Sequence, residues 1–145
     1  MTVPRILAAA VSLIFVSACD RSDKDVEDGI ERTAEASASA AGPAEAALGL
    51  SEQQLLDADL VEAGGTELGE IVQVLRDSEG RVDRLLVEVE DSNPDRYVHV
   101  PIAGLTSKAD GTGWDLVTTM SKQQLASLPA AAIATPGSAG GPGAK

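Results

Sequence analysis

Residues 68–90, LGEIVQVLRDSEGRVDRLLVEVE, form two strand-like runs on either side of an acidic, glycine-ended turn, which commits this chain to a fold built around an antiparallel hairpin. From Arg81 to Glu90 the pattern alternates. Leu85, Val87 and Val89 fall on one face, and Arg84, Glu88 and Glu90 on the other, which is the period of a half-buried strand. Leu68 to Arg76 supplies the partner run. Asp77-Ser78-Glu79-Gly80 joins them, with Gly80 able to take the positive φ that hairpin turns need. Leu86 breaks the alternation by sitting on the polar face.

Similar runs follow. Tyr97 to Pro101 reads as a strand with Val98 and Val100 inward, and Trp114 to Thr118 as a last one, with Ser92-Asn93-Pro94-Asp95 a loop. Leu60 and Val61 lead to a turn at Gly64-Gly65. Ser51-Glu52-Gln53-Gln54 and Ser121-Lys122-Gln123-Gln124 fit capping boxes, each opening a short helix. Short strands divided by Gly and Asp turns predict a mainly β domain over 51–128, a small β-barrel or folded sheet with short flanking helices. A unit of fewer than about 80 residues buries only about 60 % of its unfolded surface, so aliphatic packing must carry its stability.

The flanks have other compositions. Asp20 to Glu35 mixes seven acids with three bases, and Ala34 to Ala47 is nearly all Ala, Ser, Gly, Pro and Glu. Such a segment buries too little apolar surface to offset its ordering entropy, so residues 19–50 are expected to hold a disordered acidic, Ala-rich tether. A frayed helix is the alternative, alanine being the best helix former. The Ala, Gly and Pro of residues 129–145 predict a disordered tail.

At the N-terminus, Arg5 precedes an apolar run from Ile6 to Val16, which ends in Ser17, Ala18 and the single cysteine, Cys19. This is the layout of an export signal, and the run is too short for the roughly 20 residues of a membrane-spanning helix. Val16-Ser17-Ala18-Cys19 resembles a bacterial lipobox, which implies removal of residues 1–18 and lipidation of Cys19. At about 0.8 kcal/mol per buried CH₂, two or three acyl chains anchor firmly, so a mature lipoprotein of this kind sits on a membrane without crossing it. One cysteine forms no intrachain disulfide. Net charge is −12, and about −13 once Arg5 leaves with the signal. That balance opposes nucleic-acid binding and attraction to anionic lipid.

The segments GGTELGEIVQVLRDSEGRVDRLLVEVE (64–90), YVHVPIAGL (97–105) and VTTMSKQQLASLP (117–129) resemble, in order and spacing, the PRC-barrel family. Gly65, Leu68, Gly69 and Val72 stand for its G-x-x-(I/L)-G-x-V opening. The resemblance implies a small PRC-type β-barrel used as an interaction or assembly module, with no shared catalytic residues and no cofactor. The export signal and acidity depart from the family's ribosomal branch. The chain also lacks the transmembrane helix of its reaction-centre branch. Asp20 directly after Cys19 resembles the signal that retains enteric lipoproteins in the inner membrane, with outer-membrane residence the alternative.

Few residues carry chemistry of their own. His99, the only histidine, sits on the outward face of its strand, and catalysis would require a nucleophile or carboxylate within reach. Asp57, Asp59, Asp77, Glu79, Glu88, Glu90, Asp91 and Asp95 are plentiful oxygen donors. However, DSEGRVD (77–83) lacks the full EF-hand pattern, and a solvated acidic surface is the simpler account. Paired carboxylates also cleave glycosides, yet Tyr97 and Trp114 are the only aromatics after residue 18, too few for a sugar platform. Trp114 is expected in the core. These readings predict a non-enzymatic, lipid-anchored envelope protein facing the periplasm. Its partner is expected to be an envelope protein or a second copy. The alternative is a small-ligand or divalent-cation binder using the acids at 88–95.

Overall fold

The computed structural model describes residues 23–133, so the signal segment, Cys19, Asp20 and the chain beyond Ile133 lie outside the described residues. In order, the elements are α1 (Asp23–Ala41), β1 (Glu45–Ala47), β2 (Leu50–Ser51), α2 (Glu52–Leu56), β3 (Asp59–Glu62), β4 (Glu67–Arg76), β5 (Val82–Val89), β6 (Tyr97–Pro101), β7 (Thr106–Asp110), β8 (Gly113–Thr118) and α3 (Lys122–Ser127). The fold is mainly β: a six-stranded sheet in the order β6-β5-β4-β3-β8-β7, beside a β1-β2 ribbon. β3 and β8 pair in parallel, and the other neighbours are antiparallel.

Topology forces this sheet to curl. β6 and β7 are consecutive in the chain but form its two edges. The link through residues 102–105 lets Pro101 and Thr106 lie at most about 18 Å apart, whereas the edges of a flat six-stranded sheet are about 24 Å apart. Register shifts in the β4–β5 pairing, one between Ile71 and Gln73 on β4 and one opposite Leu75 and Arg76 on β5, and another on β4 opposite Leu60 and Val61 of β3, supply the bend. The curl does not complete itself, because β6 and β7 are not paired with each other. In place of the closed barrel expected from the sequence stands an open, curled sheet.

Its concave side is the main core. Leu60, Leu68, Leu85, Val87, Val98, Val100 and Leu116 meet there with Leu55 of α2 and Leu125 of α3. Both short helices start as the sequence predicts. The Ser51 and Ser121 hydroxyls accept from the backbone N–H of Gln54 and Gln124, and each Gln side-chain oxygen accepts from the backbone N–H of its serine. Trp114 is half-buried against this core. β7, at the sheet edge, was not anticipated. Its side chains are almost all exposed, so it has no hydrophobic period to read.

The expected tether is the largest difference between sequence and structure. Residues 23–41 form α1, and β1 and β2 follow before residue 51. Val26, Ile30, Ala34 and Ala38 recur every fourth residue, which places them on one face of a helix. Ala34 and Ala38 are only 4 % and 2 % exposed. Alanine carries so little hydropathy that the stripe does not stand out in the sequence. The ordered chain also runs past residue 128. Ala130 bridges Val98, and the Ala131 N–H donates to the Tyr97 carbonyl.

Candidate functional site

The convex side of β4-β5-β6 is where the structure concentrates its unusual features. It holds a second apolar cluster, Val72, Leu86 and Tyr97, packed by Ile30 of α1, by Leu75, and by Ala131 and Ile133 of the C-terminal segment. This explains Leu86. It points away from the main core because that side too is covered, and it is 5 % exposed. The same demand accounts for Ile71-Val72 on β4: the bulge there turns Ile71 into the main core and Val72 into the second.

Two clefts flank this cluster. One, of about 580 Å³, lies between Val26, the 92–97 loop and residues 130–133. The other, of about 310 Å³, is bounded by Ile30, Thr33, Leu75, Leu86, His99 and Ile133. His99 is paired with Leu86 across β5 and β6, with its side chain exposed while Val98 and Val100 are buried. Arg96 lines the first cleft, its guanidinium donating to the Leu128 carbonyl at 2.5 Å. Tyr97 is buried, and burial, followed by the charges of Glu88, Glu27 and Asp95, pushes its ionisation well above the ordinary phenol range.

Beside the clefts the surface is acidic. A hollow of about 220 Å³ is lined by Glu27 of α1, Glu70 of β4, Glu88 of β5, and Glu90, Asp91 and Asp95. The sequence singled out the last four. It did not connect Glu27 and Glu70 to them, since only the docking of α1 does so. Among the described residues, no three acidic, His or Cys side chains are grouped to hold a metal ion. Asp91 pairs with Lys122 at 2.7 Å. The remaining acids serve local structure. Asp77 accepts from the backbone N–H groups of Glu79 and Arg81 and orders the hairpin turn, Glu79 pairs with Arg81, and Asp57 accepts from Gln53. Asp59 lies opposite Glu70.

The crowding of like charge has a measurable consequence. Burial first, then Glu27, Asp95 and Glu70, raise the pKa of Glu88 above 4.5. A carboxylate whose pKa is higher folded than unfolded contributes stability that is full below the unfolded value and is lost as pH rises through the folded one. Glu67 has the same sign, through burial and then Asp59 and Glu90. Asp77 has the opposite sign, its pKa lowered chiefly by the Arg81 backbone N–H, so its contribution fades only in stronger acid. Glu88→Gln is therefore expected to raise the melting midpoint at about pH 7, with the gain shrinking as pH falls toward about 4.5. A gain independent of pH would show that Glu88 is not under this repulsion.

No protein-family model matches the chain, and no curated protein matches it in sequence. No helix of the described residues is long and apolar enough to cross a membrane.

Proposed function

We propose that this chain is a non-enzymatic, lipid-anchored protein of the bacterial envelope, whose PRC-type sheet domain acts as a protein-interaction and assembly module facing the periplasm. Cys19, closing Val16-Ser17-Ala18-Cys19 after a short apolar run, carries the anchoring half of this reading, and Asp20 leans it toward the inner membrane. The PRC assignment draws support from the order of segments. The Gly65-Leu68-Gly69-Val72 opening leads into β4, the hairpin into β5, Val98-His99-Val100-Pro101 is β6, and the closing segment is α3.

The interaction half rests on the convex face, where, among the described residues, an apolar cluster is covered by α1 and by the segment ending at Ile133 and is bordered by open clefts. Concave clefts beside apolar side chains are where ligands and partners bind. The partner is an envelope protein or a second copy, and nucleic acid is disfavoured by the charge of −12.

Cys19→Ser is expected to move the protein from the membrane fraction to the soluble one, measured by fractionation after an alkaline wash. Retention of the mutant in the pellet would overturn the lipid-anchor reading. In-cell cross-linking of the tagged protein is expected to capture one dominant partner through residues 81–100. A capture spread evenly over the surface would argue against a dedicated interaction face.

A further inference from the structure

Helix α1 is a poor occupant of the face it covers. Its contact stripe is Val26, Ile30, Ala34 and Ala38, of which only the two alanines are buried, and burying a methyl group gains less than about 1 kcal/mol. Clefts of about 580 Å³ and 310 Å³ remain beside Val26 and Ile30. The charges are worse matched. Glu27, Glu31 and Glu35, four residues apart, line hollows whose opposite walls are themselves acidic: Glu27 shares one with Glu70, Glu88 and Asp95, and its charge acts on Glu88, while Glu31 and Glu35 share another with Asp57 at the end of α2 and Glu70 of β4. Among the described residues, α1 makes no ion pair with the sheet domain. Arg32 instead lines a hollow with Asp28, Glu31 and Glu35 of its own helix. One side-chain bond, Ser37 to the Glu52 carboxylate at 2.5 Å, ties α1 to α2.

We infer that this face is a docking groove for a basic amphipathic helix of another protein, which binds by displacing α1. An apolar helix face laid into a groove is a recurrent recognition mode, and the charge of this groove selects the occupant. A helix with α1's four-residue apolar spacing and Lys or Arg where α1 has Glu27, Glu31 and Glu35 sets opposite charge against these acidic walls in place of like charge. Of the two partners proposed above, a second copy of the chain brings the same acidic helix and matches the groove no better than α1 does, so the envelope protein is the one this groove selects. α1 then acts as a tethered competitor, holding the groove until a better-matched helix arrives, and the partner's apparent affinity falls by the fraction of molecules in which α1 has let go. The inference rests on the interaction-module reading and names its partner.

The test uses a fluorescent peptide of the 19-residue α1 sequence carrying Glu27→Lys, Glu31→Lys and Glu35→Lys, titrated with the purified full chain and followed by anisotropy. Saturable binding is expected, absent for a scrambled peptide of identical composition. The full chain carrying the same three substitutions is expected to bind the peptide at least about tenfold more weakly, or about 1.4 kcal/mol, because its own α1 now suits the groove. That variant is also expected to melt higher than the wild type, which shows it is folded. No saturable binding, equal binding of the scrambled peptide, or undiminished binding by the variant would each overturn the inference. Lipid anchoring is read separately by Cys19→Ser, and partner capture in cells by cross-linking, so the two readings fail independently.

Discussion

Val87→Asp is expected to abolish the cooperative unfolding transition, leaving a chain without a thermal midpoint by circular dichroism. Val87 is fully buried at the centre of β5, opposite Ile71 on β4 and Val98 on β6, within the apolar main core. The substitution removes a buried Val, about 1.5–3 kcal/mol, and places in its stead a carboxylate with no partner, which costs several kcal/mol more. Domains of this size hold about 5–15 kcal/mol in all, so the two losses together consume most or all of it. Val87→Ala isolates the first loss, lowering stability by about 2–3 kcal/mol while the protein stays folded. A melt of Val87→Asp at the wild-type temperature would mean that β5 does not face the core in this register.

The strand that makes this substitution so severe is also the part of the fold that was most legible in the sequence, and the reason is physical. β5 alternates because one of its faces meets the main core along its whole length, and the hairpin turn declares itself by Asp77 and by Gly80 at φ 81°. The two short helices were legible because a capping box is a local device that does not depend on what the helix later touches. What stayed hidden depends on partners distant in the chain. Leu86 looks misplaced until α1 and Ile133 arrive over it. β7 contributes backbone pairing to β8 while burying almost nothing. Closure of the barrel, expected from the resemblance, is a matter of pairing between the two edges, which no local pattern encodes.

The candidate site shows the same division. Glu88 and His99 could be picked out as side chains on an outward face, and Asp95 as an acid of the loop between them, but their surroundings could not. Glu88 lies in its acidic hollow because a helix beginning more than 60 residues earlier brings Glu27 to it. A signal for that helix was present in Val26, Ile30, Ala34 and Ala38, spaced by four. It was masked by composition, since the segment's abundant acids and small residues are also those of a disordered linker. Glu52 has the same history. It reads as the second residue of a capping box, yet in the fold its buried carboxylate receives Arg76 at 2.6 Å and Ser37 at 2.5 Å, so that β4 and α1 are joined through the first turn of α2.

Gly69→Ala is expected to lower the melting midpoint steeply while leaving a cooperative transition, for a reason unrelated to the flexibility of glycine. Gly69 sits within β4, paired with Val89 and Leu60, where a β-carbon would stand 2.1 Å from the Glu88 carbonyl oxygen and 2.9 Å from Val87 Cγ1. The Val87 methyl could rotate aside, but the Glu88 carbonyl belongs to the backbone of β5, so the two strands must separate where they pair. Overpacking typically costs about 1–3 kcal/mol; with a backbone atom as the obstacle, the upper end is expected, a fall in melting midpoint of about 15 °C. Gly65→Ala is the informative comparison. Gly65 has φ +84° but open space around its missing β-carbon, so alanine there meets only the left-handed penalty of about 1–2 kcal/mol. Gly64, with no such φ and only the Glu62 carboxylate at 3.9 Å, an ordinary contact, is expected to accept alanine with little change. If Gly69→Ala melts no lower than Gly65→Ala, β4 and β5 do not approach as closely as this packing requires. If it melts much lower, the second glycine of the G-x-x-L-G opening is fixed by strand contact, and the first by its turn.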